Sequence, residues 1–149
     1  MSGLLSHSPQ YIVRQLLVDL GMGFDPVGTS TSWRIYDTSE PDSPDDAITV
    51  YSTQGVDHGQ IQISGYRVID HGIQIRVRAR DPEAGFVKAN QIAVALDETV
   101  RMNTTVLGET VYLIWAFNRT GDLNQLGRMP NRNCYLFTIN ATVTLNPVN

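Results

Sequence analysis

The chain has 149 residues, of which 42% are hydrophobic and 17% are charged, and its formal net charge is −4. This length suits one domain with a hydrophobic core, and the acidic total disfavours a nucleic-acid-binding domain, which is normally basic. No apolar run reaches the roughly 18 residues of a membrane helix, and Met1–Gln10 lacks the pattern of a secretion signal. We therefore predict a single domain over residues 1–149, with no membrane association.

Two amphipathic helices are predicted, each with a proline at its first position. The first begins at Pro9 after the N-cap Ser8 and ends at Gly21. The second begins at Pro82 after the N-cap Asp81. Their apolar stripes are Ile12, Leu16 and Leu20 in the first helix and Phe86, Ala89, Ala93 and Leu96 in the second.

Alternating and β-branched runs between and after the helices predict the strands of one sheet. The predicted strands are Ser32–Asp37, Ala47–Thr53, a strand from near Ile73 to Arg80, Val106–Leu107, Val111–Phe117 and Cys134–Leu145. A bent strand starting at Tyr66 is the alternative start of the third, with a bulge at "DHG". The order of elements predicts an α+β domain whose antiparallel or mixed sheet has both helices packed on one face.

Residues 1–7 are predicted to be flexible, and three polar segments are predicted to be mobile loops. These loops are residues 38–46, rich in Pro, Ser and Asp, residues 54–66, rich in Gly, and residues 118–133. A short hairpin arm is the alternative within 54–66, because "QIQI" alternates there. Loops as long as 118–133 are usually functional or disordered.

The stretch "IQIRVRAR" alternates apolar side chains with Arg76, Arg78 and Arg80, so a strand would carry all three arginines on one face. Like charges side by side repel, and arginine is enriched at protein interfaces. We therefore predict that this face meets an acidic loop of a neighbouring copy. The candidate acidic residues are Glu40, Asp42, Asp45 and Asp46.

Two alternatives remain for the arginine face. A solvated outer sheet face is the simpler one. A platform for nucleic acid is the other, although this strand has no aromatic residue among its arginines on which bases could stack.

No combination of residues predicts catalysis, a cofactor or a metal site. The triplets "DHG" at 57–59 and 70–72 could supply metal ligands or acid–base pairs through His58 and His71. We interpret both as turns, because Asp can bond to its own backbone and Gly tolerates positive φ. The single cysteine, Cys134, lies in a strand-like run and is predicted to be a buried apolar residue.

The arginine strand and second helix together resemble a known family. The pattern lies in Val77–Arg80, Ala84, Ala89, Ile92–Ala93 and Leu96. It is similar to that of the tail-terminator (tail-completion, minor capsid or neck) proteins of long-tailed bacteriophages, and the order of elements agrees from Pro9 to Leu145. The resemblance implies a non-enzymatic virion protein with a small α/β sandwich fold, which forms a ring, typically a hexamer.

In that family role, the ring caps the tail tube, stops its polymerisation and presents a surface to the head-completion (stopper) protein. Genomic DNA passes through the lumen without specific binding, and the protein lies at the neck of the virion. We predict that the long loops dock onto these partners. The candidate docking residues are Asp57 and His58 in the first loop and Arg119, Asp122, Arg128 and Arg132 in the second.

Two other functions remain open from the sequence. One is a head-closure or stopper component of the same neck. The other is a non-viral module that binds nucleic acid or a small ligand through the face of Arg76, Arg78 and Arg80.

Overall fold

The computed structural model describes residues 5–24, 33–42, 45–61, 66–98, 104–107, 110–130 and 132–148. The elements in chain order are α1 (Pro9–Asp19), β1 (Arg34–Asp37), β2 (Ala47–Ile61), β3 (Tyr66–Ala79), α2 (Pro82–Asp97), β4 (Thr104–Leu107), β5 (Thr110–Arg119), β6 (Asn124–Arg128) and β7 (Tyr135–Val148). Two helices and a sheet confirm the α+β class. Ser32, at the start of a predicted strand, lies outside the described residues.

Both helices begin where the sequence predicted, but only one is capped by a side chain. Ser8 occupies the N-cap position of α1 without forming a side-chain cap bond. The Asp81 side chain at the start of α2 accepts a hydrogen bond from the backbone N–H of Glu83. Gly21 follows α1 with φ of 75°, the left-handed conformation that a helix end commonly needs.

The strands form one mixed sheet in the order β1-β2-β3-β7-β5-β4, and β6 pairs with β7 beside this path. The β1–β2 pair is parallel, and the other described pairs are antiparallel. This confirms the prediction of an antiparallel or mixed sheet. Because β1 and β2 are parallel neighbours, the chain between them must return to the starting end of the sheet, and we call its described residues, 38–42 and 45–46, the crossover segment.

A single hydrophobic core joins both helices to the sheet. In β3, Ile73, Ile75, Val77 and Ala79 are fully buried, as the alternation predicted. They share the core with Ile12 and Leu16 of α1, Ala89, Ile92 and Leu96 of α2, and Ile139 and Val143 of β7. The intervening β3 residues therefore face away from this core.

The prediction of a loop at 54–66 is wrong for its described residues, because β2 extends to Ile61 and β3 begins at Tyr66. This hairpin continues past its neighbours, since β1 pairs with β2 only as far as Val50 and β7 pairs with β3 from His71 onward. Residues 54–61 and 66–70 therefore form a two-stranded ribbon, which we call the arm. The sequence had offered a short arm as the alternative.

The prediction of a loop at 118–133 is also wrong over much of its length. Residues 118 and 119 belong to β5, and Asn124–Arg128 forms β6 on the same edge of β7. The polar composition hid these strands because β6 is exposed along its whole length. The described chain between the strands is limited to short turns at 120–123 and 129–134, Asn131 lying outside the described residues.

The beginning of the described chain contacts the sheet. The backbone N–H of Ser6 donates to the Tyr112 hydroxyl at 3.2 Å, and Nδ1 of His7 lies 2.7 Å from the same oxygen. The His7 ring also stacks on Tyr11. A fully buried tyrosine thus satisfies its hydroxyl with the segment that precedes α1.

Candidate assembly interface

Arg78 does not lie on a free face, which corrects the sequence prediction for this residue. Its side chain is 1% exposed and lies beneath the crossover segment. Nη1 donates to the main-chain oxygen of Pro41 at 2.6 Å, and Nε donates to that of Asp45 at 3.1 Å. Glu40 adds an ion pair at 3.9 Å. The acidic loop expected from a neighbouring copy is thus already supplied by the same chain.

Arg132 also holds the crossover segment. It donates from Nη2 to the main-chain oxygen of Asp42 and to Oδ1 of Asp45, the latter at 3.3 Å. Arg132 lies in the turn between β6 and β7, so this contact joins that turn to the β1–β2 connection. A predicted docking residue therefore has a structural partner within the chain.

The other two arginines of the strand differ from Arg78. Arg76 is partly buried, with its guanidinium 5.2 Å from the centre of the Tyr51 ring and its Nε donating to Gln74 at 3.1 Å. Arg80 is exposed, and within the described residues only its backbone N–H is bound, to Oδ1 of Asp46 at 3.0 Å. Of the three, Arg80 is the one whose charged group is presented outward.

Tyr51 is a residue that the sequence reading missed. The stretch "IQIRVRAR" has no aromatic residue, but β2 supplies one beside Arg76. Burial and the nearby Glu40 carboxylate raise the pKa of the Tyr51 hydroxyl. The signal was present in "TVYS", but it needed the β2–β3 register, in which Tyr51 pairs with Gln74.

The two "DHG" triplets lie within β2 and β3 rather than in turns, which corrects that interpretation. The proposed local bond does exist at the first triplet, where Asp57 accepts from the Gly59 N–H and Gly59 has φ of 93°. The β2–β3 register shifts at this point, so the triplet forms a bulge.

The second triplet fastens the base of the arm. Oδ2 of Asp70 lies 2.8 Å from Nε2 of His58, and Oδ1 accepts a hydrogen bond of 2.5 Å from Thr144. The Thr144 bond and then the His58 bond lower the pKa of Asp70 below its ordinary value. Burial lowers the pKa of the neighbouring His71. His58 thus joins Asp70 and Thr144 in one hydrogen-bonded chain.

The remaining predicted docking residues fall into two groups. Arg119 forms two hydrogen bonds with Asp97 at the end of α2, of 3.0 and 2.8 Å, and so ties α2 to β5. Asp122 and Arg128 are exposed, the former bonding only its neighbouring Leu123 N–H among the contacts of the described chain. The structure therefore leaves Asp122 and Arg128 available at the surface.

The described residues hold no cluster of three or more His, Cys, Asp or Glu side chains able to bind a metal ion. Cys134 is buried, as predicted, and burial raises the pKa of its thiol. Neither helix of the described chain is long and apolar enough to cross a membrane.

The outward side of α2 is unusually poor in charge. Phe86, Val87 and Val94 are 39%, 51% and 46% exposed, and Asn90 and Gln91 lie between them. A helix with apolar residues on both sides is normally buried on both sides. This face is therefore a candidate contact surface. The sequence predicted Phe86 for the inward stripe, which is wrong, and it gave no indication of the exposure of Val87 and Val94.

Comparison with known proteins gives one sequence family and a set of solved structures that this chain resembles. The sequence model of a family described as "Bacteriophage tail terminator protein" matches residues 19–147. Among solved structures, ten chains match. One chain, from a structure titled "Virion of native gene transfer agent (GTA) particle", is 17% identical with a TM-score of 0.53, covering 93% of this chain and 95% of that one. A search of curated proteins gave no match.

The family match spans nearly the whole chain, including the arginine strand and α2 on which the sequence resemblance depended. The structural match at 17% identity supports the fold alone. The chain therefore belongs to the family of bacteriophage tail terminator proteins, which are structural components of the virion.

Proposed function

We propose that this protein forms a ring of six copies that caps the tail tube at the neck of the virion and stops tube polymerisation. The ring then provides the surface that joins the head-completion (stopper) protein, while genomic DNA passes through its lumen without specific binding. The family match over residues 19–147 is the observation that carries this proposal. The net charge of −4 agrees with a lumen that does not retain DNA, since DNA affinity comes mainly from cationic contacts.

Two surfaces that the described chain leaves uncovered support the proposal that this protein assembles with other copies. The uncharged outward face of α2 and the arm both require a partner for full stability, because neither is covered within the described chain. A closed ring needs two different complementary surfaces on each copy. These two features lie on different parts of the fold, as such a ring requires.

The candidate interface residues divide by their surroundings. Arg80, Arg76 and Asp46 remain our candidates for direct contact between subunits. We propose that Arg78, with Glu40, Asp42, Asp45 and Arg132, acts indirectly by fixing the shape of the crossover segment. Asp57, His58, Asp122 and Arg128 remain candidates for contact with the tube or stopper protein, whereas Arg119 holds α2 in place.

The proposal can be tested by adding purified protein to polymerising tail tube protein. We expect tube growth to stop at low ratios of added protein to tube protein, and electron microscopy to show a ring at one end of each tube. Native mass spectrometry of the capped ends should give a fixed number of copies. Unchanged tube growth without end binding would contradict the proposal, and binding to the head opening alone would favour a stopper component.

A further inference from the structure

An exposed apolar residue lies beside an acidic one on the arm. Val56 is 53% exposed and is followed by the exposed Asp57. Among the described strands, β1 pairs with β2 only as far as Val50, and β7 pairs with β3 only from His71 onward. The arm therefore has no third strand of the described chain beside it. A two-stranded ribbon is only marginally stable in water, so an outside contact would stabilise it.

At the other end of the sheet lies a groove of about 400 Å³ between the start of α2 and the β6–β7 pair. Its lining residues are Pro82, Glu83, Phe86, Gln125, Gly127, Tyr135 and Phe137. Two glycines shape it. A Cβ on Gly85 would lie 2.5 Å from the Phe137 ring, so glycine lets α2 approach the sheet, and Gly127 adds no side chain at φ of 80°.

An exposed arginine, Arg128, directly follows the lining residue Gly127. Arg128 is the pairing partner of Tyr135 in β7, so both side chains lie on the same face of the sheet. Its guanidinium has no ion pair or hydrogen bond within the described part of the chain. The groove thus combines aromatic walls and the carboxylate of Glu83 with a cationic group beside its lining. It fits an apolar side chain next to a carboxylate.

The arm and the groove cannot meet within one copy. Val56 pairs with Asp70, which lies nine residues before Ala79 along β3, or about 30 Å of strand. A contact between them would join the arm end of one copy to the groove end of the next. Repeated head-to-tail contacts of this kind close into a ring when the rotation between copies allows it.

We propose that the arm of one copy docks into the groove of the next, with Val56 against Phe86 and Tyr135 and with Asp57 facing Arg128. The occupant is a second copy because this chain itself carries the complementary pair of an apolar residue and a carboxylate. The proposal rests on the ring of the proposed function and identifies the surfaces that build it.

Disulfide crosslinking between copies tests the contact. One variant carries Val56→Cys and another carries Gln125→Cys, and the two are mixed under oxidising conditions, on tube ends if rings form only there. Cys134 is buried and provides the unlinked background. The matched control is Leu126→Cys, since Leu126 is the exposed neighbour of Gln125 and does not line the groove. We expect mixed dimers from the 56–125 pair at about tenfold the yield of the 56–126 pair.

A charge exchange gives a second readout. Asp57→Arg alone, or Arg128→Asp alone, should weaken ring formation by about tenfold or more, and one chain carrying both changes should restore it. Glu98→Arg is the control and should leave ring formation unchanged, because Glu98 is exposed at the opposite end of α2 from the groove.

The outcomes separate this inference from the function on which it rests. Rings that form without the 56–125 crosslink, or crosslinking of position 56 to tube protein instead, would overturn the docking inference and leave the ring intact. The absence of rings together with unhindered tube growth would overturn the proposed function as well.

Discussion

Nη1 of Arg78 donates a 2.6 Å hydrogen bond to the main-chain oxygen of Pro41, and this bond joins the central sheet to the segment that crosses over it. The same guanidinium reaches Asp45 near the other end of that segment. An arginine that the sequence placed on an open face therefore organises the connection between two parallel strands. Because Arg78 is buried, we expect its replacement to affect the stability of the fold before it affects contacts between copies.

We expect Arg78→Met to lower the free energy of unfolding by on the order of 3 kcal/mol, because it leaves the partly buried carbonyl groups of Pro41 and Asp45, and the Glu40 carboxylate, without the buried guanidinium. The control Arg76→Met should cost less than about 1 kcal/mol, since Arg76 is partly exposed and bonded to Gln74. Urea unfolding of both variants measures the difference. If both variants lose the same free energy of unfolding, the contacts between Arg78 and the crossover segment contribute little to stability.

The base of the arm should not tolerate a side chain at Gly72. A Cβ there would lie 2.4 Å from Oγ1 of Thr53 and 2.6 Å from the main-chain oxygen of Gln54. We expect Gly72→Ala to destabilise the protein by about 1–3 kcal/mol and to speed amide exchange in the arm. Gly121→Ala is the matched control, because its Cβ would meet no atom within 4 Å. If amide exchange in the arm is unchanged in Gly72→Ala, the added methyl group does not weaken the pairing of β2 with β3.

Asp70 should make stability depend on pH in the acid range. Its pKa is lowered in the folded state by the bonds from Thr144 and His58, so the carboxylate stabilises the fold above its ordinary pKa of 3.8. This contribution is lost as the pH falls through the lower folded pKa. Asp70→Asn should therefore cost more stability at about pH 6 than at about pH 3, where the native carboxylate also becomes protonated. Asp122→Asn is the exposed control.

Thr144→Val tests the cause of that shift. Removing the hydroxyl should move the pKa of Asp70 upward, toward its ordinary value, as measured by NMR titration of its carboxyl carbon. An unchanged titration would assign the shift to His58 and the surrounding charges instead.

The Arg119–Asp97 pair should fasten α2 to β5 only weakly. Asp97 is 42% exposed, so water and salt screen the pair, and a double-mutant cycle with Arg119→Ala and Asp97→Ala should give a coupling of about 0.5–1 kcal/mol. The coupling should shrink in high salt. A salt-independent coupling of several kcal/mol would be inconsistent with this exposed geometry.

The helices were predictable because their signals are local. Asp81 and Pro82 mark the start of α2 within the sequence itself, and Gly21 marks the end of α1. The buried residues of β3, from Ile73 to Ala79, were likewise predictable from their alternation. In each case the residues that determine the structure are close together in the chain.

The arginine face and the polar strands were not predictable in this way. Whether Arg78 is free or buried depends on a segment more than thirty residues earlier, which its alternation cannot reveal. Residues 54–61 and 124–128 have the composition of loops, yet each gains a ladder of backbone hydrogen bonds from a partner strand. The groove of Phe86 and Tyr135 likewise exists only when α2 lies on the β6–β7 pair.

The most direct test of the central claim is electron microscopy of particles assembled in host cells with and without this protein. Without it, we expect tails of irregular, excessive length that are not attached to heads, and we expect normal tails when the protein is supplied in trans. Tails of normal length joined to heads in its absence would contradict the account.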